Sequence, residues 1–168
     1  NRFTAHSHRY IYKGSVIDTG TGMQSTVSAL GDVFPEERDG IGSLFQDAAE
    51  AFFQLHEYSR QFDSPLPDHL VVRLMGDRAA ANLPRTYPGL YDWLDKTLQQ
   101  KLDEHLRSDS LKAIIAAASG QNGTTPEATV GLRALMGCLG PQIAGTYYPA
   151  GGPGALAEAM ARAVESFG

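Results

Sequence analysis

The run FPEERDGIGSLFQDAAEAFFQLHEYSRQF, residues 34–62, decides the fold class. Within it Ile41, Leu44, Phe45, Ala48, Phe52, Leu55, Tyr58 and Phe62 recur at steps of three and four, which lays them along one stripe of a long amphipathic helix. Phe34-Pro35-Glu36-Glu37 opens that helix: proline is tolerated in a first turn, and the two carboxylates sit at the positive end of the helix dipole. Ser64-Pro65-Leu66-Pro67 closes it, because two prolines remove backbone donors and push the residues before them into extended conformations.

Upstream, His8-Arg9-Tyr10-Ile11-Tyr12 and Ser15-Val16-Ile17-Asp18 flank a Lys13-Gly14 turn, aromatic and β-branched residues on either side, which predicts a β-hairpin. Met23, Val27 and Leu30 then mark a short helix that stops near Gly31. Downstream, in 68–81, Leu70, Val71, Val72, Leu74 and Met75 fit either a buried helix or a strand, and helix is the reading taken. After Tyr87-Pro88-Gly89, the leucines at 90, 94, 98, 102 and 106 recur every four residues, with Trp93 and Thr97 widening the stripe, and predict one helix. Ser108 or Asp109 caps the next helix, which holds Leu111, Ile114, Ile115 and Ala118.

Gly120 to Gly123 reads as a loop. Thr124-Thr125-Pro126-Glu127 then predicts the start of a helix with Val130, Ala134, Leu135 and Cys138 on one side, ending around Gly140-Pro141. A glycine-rich turn from Tyr147 to Gly154 leads into a last amphipathic helix with Leu156, Met160, Val164 and Phe167. The expected fold is α+β, mainly α: one helical domain over residues 1–168 with a small N-terminal β-hairpin.

Composition narrows the function. A chain of 168 residues, 42% hydrophobic and 20% charged, buries a core without disulfides or metals. A formal charge of -5 gives no electrostatic footprint for nucleic acid. The single cysteine, Cys138, forms no internal bridge and no zinc pair, and is most simply a buried small hydrophobe in a reducing, cytoplasmic setting. The apolar run 111–118 is far shorter than the roughly 20 residues that span a bilayer. Asn1-Arg2-Phe3 shows neither an initiator methionine nor a secretory signal, which suits a processed chain or an excised piece.

Individual polar residues suggest little catalysis. His6 and His8 share a strand face, but His56, His69 and His105 supply no evident third metal ligand. Ser25, Ser28 and Ser119 lack a nucleophile elbow. Asp92, Asp95, Lys96, Lys101, Asp103 and Glu104 read as a solvated face opposite the leucine ladder. Tyr148-Pro149-Ala150-Gly151-Gly152 differs: paired glycines let backbone pass close to a planar ligand or a neighbour, ahead of a helix start, although from spacing alone a turn plus a cap is the simpler reading.

The run Tyr148-Pro149-Ala150-Gly151-Gly152, followed by Ala155-Leu156-Ala157-Glu158-Ala159-Met160-Ala161, resembles the Tyr-Pro-x-Gly-Gly segment of the phytoene desaturase, carotenoid isomerase and retinol saturase superfamily of FAD-dependent oxidoreductases. Phe34-Pro35-Glu36-Glu37-Arg38 with Gly40-Ile41, and Asp109-Ser110-Leu111-Lys112-Ala113 with Gly123, Pro126 and Glu127, resemble further segments in the same order. The resemblance runs from about Tyr10 to the last residue and covers the substrate-domain insertion.

It implies a substrate-binding domain for an apolar, carotenoid- or retinoid-like molecule, with a flavin-binding domain of the same parent protein as partner and membrane contact as an open question. Tyr147, Tyr148, Pro149, Gly151 and Gly152 are then the residues beside cofactor or substrate. The Gly-x-Gly-x-x-Gly phosphate turn is missing: Gly20-Thr21-Gly22 lacks the third glycine, and Gly151-Gly152-Pro153-Gly154 carries a proline. FAD is therefore expected in the parent and not on this chain alone, which is expected to be inactive. Two other readings stand beside this one: a non-catalytic helical module whose apolar groove takes a lipid or a partner helix, and a chain that self-associates through the face meant for its missing half.

Overall fold

A computed structural model describes residues 3–6, 8–62, 73–117 and 123–167. Strands β1 (Phe3–His6), β2 (Arg9–Tyr12) and β3 (Ser15–Asp18) lead into helices α1 (Met23–Val33) and α2 (Arg38–Phe62), separated by a 3-10 turn over Pro35–Glu37. Next come the short helices α3 (Asp77–Ala80), α4 (Leu83–Thr86), α5 (Pro88–Leu94), α6 (Leu98–His105) and α7 (Asp109–Ala116). Helix α8 (Gly131–Ala134) passes through a π turn at Leu135–Leu139 into α9 (Gly140–Ala144), and the chain continues through β4 (Thr146–Pro149) and α10 (Gly152–Phe167).

The mainly helical α+β architecture is built on α2. Its 25 residues reach about 37 Å at 1.5 Å per residue, long enough to serve two apolar clusters. Ile41, Leu44, Phe45 and Ala48 on its first half join Leu30, Trp93, Leu98, Leu102, Leu111, Ile115, Leu135 and Cys138. Leu55 and Tyr58 on its second half join Leu83, Tyr87 and Leu90, with the Tyr58 and Tyr87 rings edge-on at 5.8 Å. The predicted breaker 64–67, and 68–72 of the predicted helix, lie outside the described residues. The rest of that prediction is helical at 73–75 and in α3.

The leucine ladder is two helices, not one. Four residues advance an α-helix by about 400°, so five leucines in a single helix would sweep about 160° and leave one buried face. The chain resets its phase at Asp95–Thr97. Thr97 is not part of a stripe but the N-cap of α6, accepting from the Gln100 amide while the Gln100 side chain accepts from the Thr97 amide, a reciprocal capping box.

The helix expected from Thr124 begins only at Gly131. The carbonyls of Pro126 and Thr129 accept the Gln99 and Leu98 amides, two first-turn donors of α6 that lack intrahelical partners. Backbone committed to that task cannot coil. Val130 consequently stands outside the apolar stripe, 51% exposed. Nor does the helix end at Gly140-Pro141: the π turn widens it before Pro141, whose ring a regular helix would drive against the carbonyl four residues back, and α9 continues to Ala144. Helix α1 likewise runs past Gly31 to Val33.

Two two-stranded antiparallel sheets complete the fold. The hairpin β2–β3 turns at Lys13 and Gly14, both at positive φ, as a two-residue hairpin loop with matching twist requires. Ile17 is buried, Ile11 and Val16 pair on the outer face, and Tyr12 donates to Ser110 Oγ at 2.5 Å, fixing the hairpin to the first turn of α7. The other sheet joins β1 to β4, with Phe3 opposite Pro149 and His6 opposite Thr146. Among the described residues no helix is long and apolar enough to cross a membrane.

Candidate functional site

Four of the five residues singled out from sequence cluster around the start of α10. Gly151 and Gly152 have φ of +86° and +83°, a left-handed pair that only glycine adopts at no steric cost, so the glycines are fixed by the turn from β4 into α10. Tyr148 leans over this turn: its hydroxyl lies 4.0 Å from where a Cβ on Gly152 would stand. Pro149, half-buried, ends the strand opposite Phe3. Tyr147 does not join them. Successive residues of a strand face opposite sides, and its ring folds back over Gly145 instead. The two tyrosines are 62% and 51% exposed, one on each face of the β1–β4 ribbon.

Helix α10 continues that exposure. None of its residues is buried, yet Leu156, Met160, Val164 and Phe167 recur at four, four and three, one apolar stripe facing solvent. Its polar side carries an i,i+4 contact between Glu158 and Arg162 at 3.8 Å. Among the described residues, the ribbon and α10 form an apolar surface without a layer over it.

A polar cluster that sequence reading misses lies between α2, α5 and α6. Lys101, expected on a solvated face, is 2% exposed and holds Asp47 and Asp92 at 2.7 Å and Glu104 at 2.9 Å, with its ammonium 5.1 Å from the centre of the Trp93 ring. Burial opposes its charge, but the hydrogen bonds to the three carboxylates outweigh it and raise the ammonium pKa above the ordinary lysine value. For Asp92 and Glu104 burial also opposes the charge, here by raising the pKa, and the bonds to Lys101 and Lys96 reverse it, holding both below the usual carboxylate range. The signal was available: Lys101 falls between Leu98 and Leu102 on the buried stripe, and the Trp93 indole needs an acceptor, which Asp47 supplies at 3.0 Å.

Ser43 Oγ lies 3.0 Å from His105 Nδ1, and His105 Nε2 lies 3.4 Å from Asp47 Oδ2. These are the residue types of a nucleophilic relay, but the same Asp47 oxygen is bound more closely by Lys101 and Trp93. The arrangement ties α2 to α6, and Asp47 Oδ2 serves Lys101 and Trp93 at shorter range than His105. Cys138 is buried and its thiol pushed up by that burial, which keeps it protonated and unreactive. His56 Nδ1 pairs with the Phe52 carbonyl at 2.9 Å. The His6 side chain, and with it the His6–His8 pair, lies outside the described side chains. Among the described residues no three His, Cys, Asp or Glu side chains gather at metal-binding distance.

An apolar groove of about 410 Å³ runs between α1 and α2 over Met23, Val27 and Gly42, and the Asp32–Arg38 ion pair, 3.1 Å, is part of its lining. Comparison with protein-family models, with curated proteins and with solved structures finds no match for the chain.

Proposed function

We propose that the chain is the substrate-side portion of an FAD-dependent oxidoreductase acting on an apolar unsaturated molecule of carotenoid or retinoid type, and that β1, β4 and α10 form the face it turns toward the flavin-binding domain of the same parent protein. The observation that carries this reading is the uncovered C-terminal unit. A two-stranded ribbon is marginally stable in water, and an amphipathic helix gains its stability by burying its stripe. Here both faces of the ribbon display a tyrosine and all of α10 lies outside the core. A covering layer satisfies both elements at once.

The pairing of β1 with β4 supports the same reading, since the strand ahead of the helical body and the strand behind it lie side by side, as they do when a body is inserted into another domain. The resemblance of Tyr148-Pro149-Ala150-Gly151-Gly152 to the superfamily segment gives the covering domain its chemistry. When bound, FAD supplies hydride transfer. The residues of this chain orient and exclude water: Tyr147 and Tyr148 offer flat apolar rings with a polar tip, and Gly151 and Gly152 leave bare backbone for close approach. The test is the visible absorption spectrum of the purified parent protein. A flavin spectrum is expected; a colourless protein that stays colourless with added FAD contradicts the reading.

A further inference from the structure

A second hollow, on elements separate from the C-terminal unit, lies beside the π turn. Val130, Leu132, Arg133, Met136 and Gly137 line it, and its volume is about 530 Å³. That lies within the roughly 300–1,000 Å³ of small-molecule sites. Leu135, Cys138 and Leu139 of this segment enter the core, and Met136 stands on the opposite side, 58% exposed beside the 51% exposed Val130. Single π turns of this kind concentrate at functional sites.

The charge at the hollow is one-sided. Arg133 is the one cation that lines it, and among the described residues Arg133 makes no salt bridge. Lys96, whose carbonyl accepts from the Gly131 amide, is already held by Asp92 and Glu104 at 2.6 Å. The α1–α2 groove offers no such free cation, because Arg38 there is paired with Asp32.

We infer that this hollow binds a free single-chain fatty carboxylate, its chain against Val130, Leu132 and Met136 and its carboxylate on the Arg133 guanidinium. The planar fork of an arginine matches a carboxylate in shape and charge, and a neutral apolar ligand would leave that fork unused. A bilayer surface fits less well, since a chain of formal charge -5 with one arginine at the hollow has no polybasic patch to hold anionic headgroups. The inference stands apart from the flavoprotein reading, and its test contains no flavin.

The test titrates the chain with parinaric acid, a conjugated fatty acid whose fluorescence rises on leaving water, and in parallel with its methyl ester. The acid is expected to bind at least about tenfold more tightly than the ester, the scale of one charge-assisted contact. Arg133→Gln should bring the acid down to the level of the ester and leave the ester unchanged, and Met136→Asp should weaken both. Circular dichroism checks the fold of each variant, and the acid-to-ester ratio of the unsubstituted chain needs no variant. Equal affinity for acid and ester overturns the inference, as does an unchanged acid affinity in Arg133→Gln. No fluorescence rise with the unsubstituted chain also overturns it; co-sedimentation with phosphatidylserine vesicles in that case makes a bilayer the partner.

Discussion

The buried carboxylate of Glu37 accepts the backbone amide of Ser108, 71 positions away, together with the Arg107 amide at 3.0 and 3.2 Å. Ser108 in turn caps α7 by accepting from the Leu111 amide. One carboxylate at the head of α2 thus satisfies the backbone donors where α6 ends and α7 begins.

Glu37→Gln keeps the shape and removes the charge from these bonds. A loss of about 1 to 2 kcal/mol in urea unfolding is expected. A change under about 0.5 kcal/mol would mean that the clamp is not charge-assisted.

The Lys101 cluster predicts a specific pH dependence. Asp92 and Glu104 have folded pKa values below their unfolded ones, so their contribution is full above about pH 5 and is lost as pH falls through the folded values. Lys101 is raised, so its contribution is full below its unfolded value and is lost only in strong alkali. Lys101→Met takes the buried cation from Asp47 and leaves Asp92 and Glu104 to Lys96 alone, and should cost about 1 to 3 kcal/mol at pH 7. Its melting temperature should also fall less steeply between about pH 5 and pH 3 than that of the unsubstituted chain. Parallel acid slopes would contradict the assignment.

Two glycines of α2 predict opposite signs. A Cβ on Gly40 would strike the His105 carbonyl, so Gly40→Ala should destabilise by about 1 to 3 kcal/mol. A Cβ on Gly42 meets nothing within 4 Å, and Gly42→Ala should stabilise by about 0.5 to 1 kcal/mol through helix propensity alone. Thermal melts of the two variants check both signs.

Met160→Glu separates folding from docking. Because α10 buries nothing, the substitution should leave the melt of residues 1–168 within about 0.5 kcal/mol. Under the proposed function, the same change in the parent protein should loosen the flavin-binding domain and lower flavin retention, read as the absorbance left after gel filtration. Equal retention would remove α10 from the interface.

Local physics explains which features are legible in the sequence. The α2 stripe and the Lys13-Gly14 hairpin follow from periodicity and turn chemistry, which need only neighbouring residues. The Thr97–Gln100 capping box is local as well, but a leucine every four residues hides it, because Thr97 fits the stripe equally well. Long-range features escape: nothing near Glu37 announces Ser108, and β1 meets β4 across almost the whole chain. At the candidate site, Gly151 and Gly152 are legible because the backbone there demands glycine. The exposure of α10 is not, since an apolar stripe states that a face wants cover and not what supplies it.

Amide hydrogen exchange over 146–149 and 152–167, compared between residues 1–168 alone and the parent protein loaded with FAD, tests the central claim most directly. The uncovered ribbon and helix should exchange rapidly in the chain alone and slow by at least about tenfold in the parent, while the amides of α2 stay equally protected in both. Exchange at 152–167 that is equally fast in both would contradict the placement of the flavin-binding domain on this face.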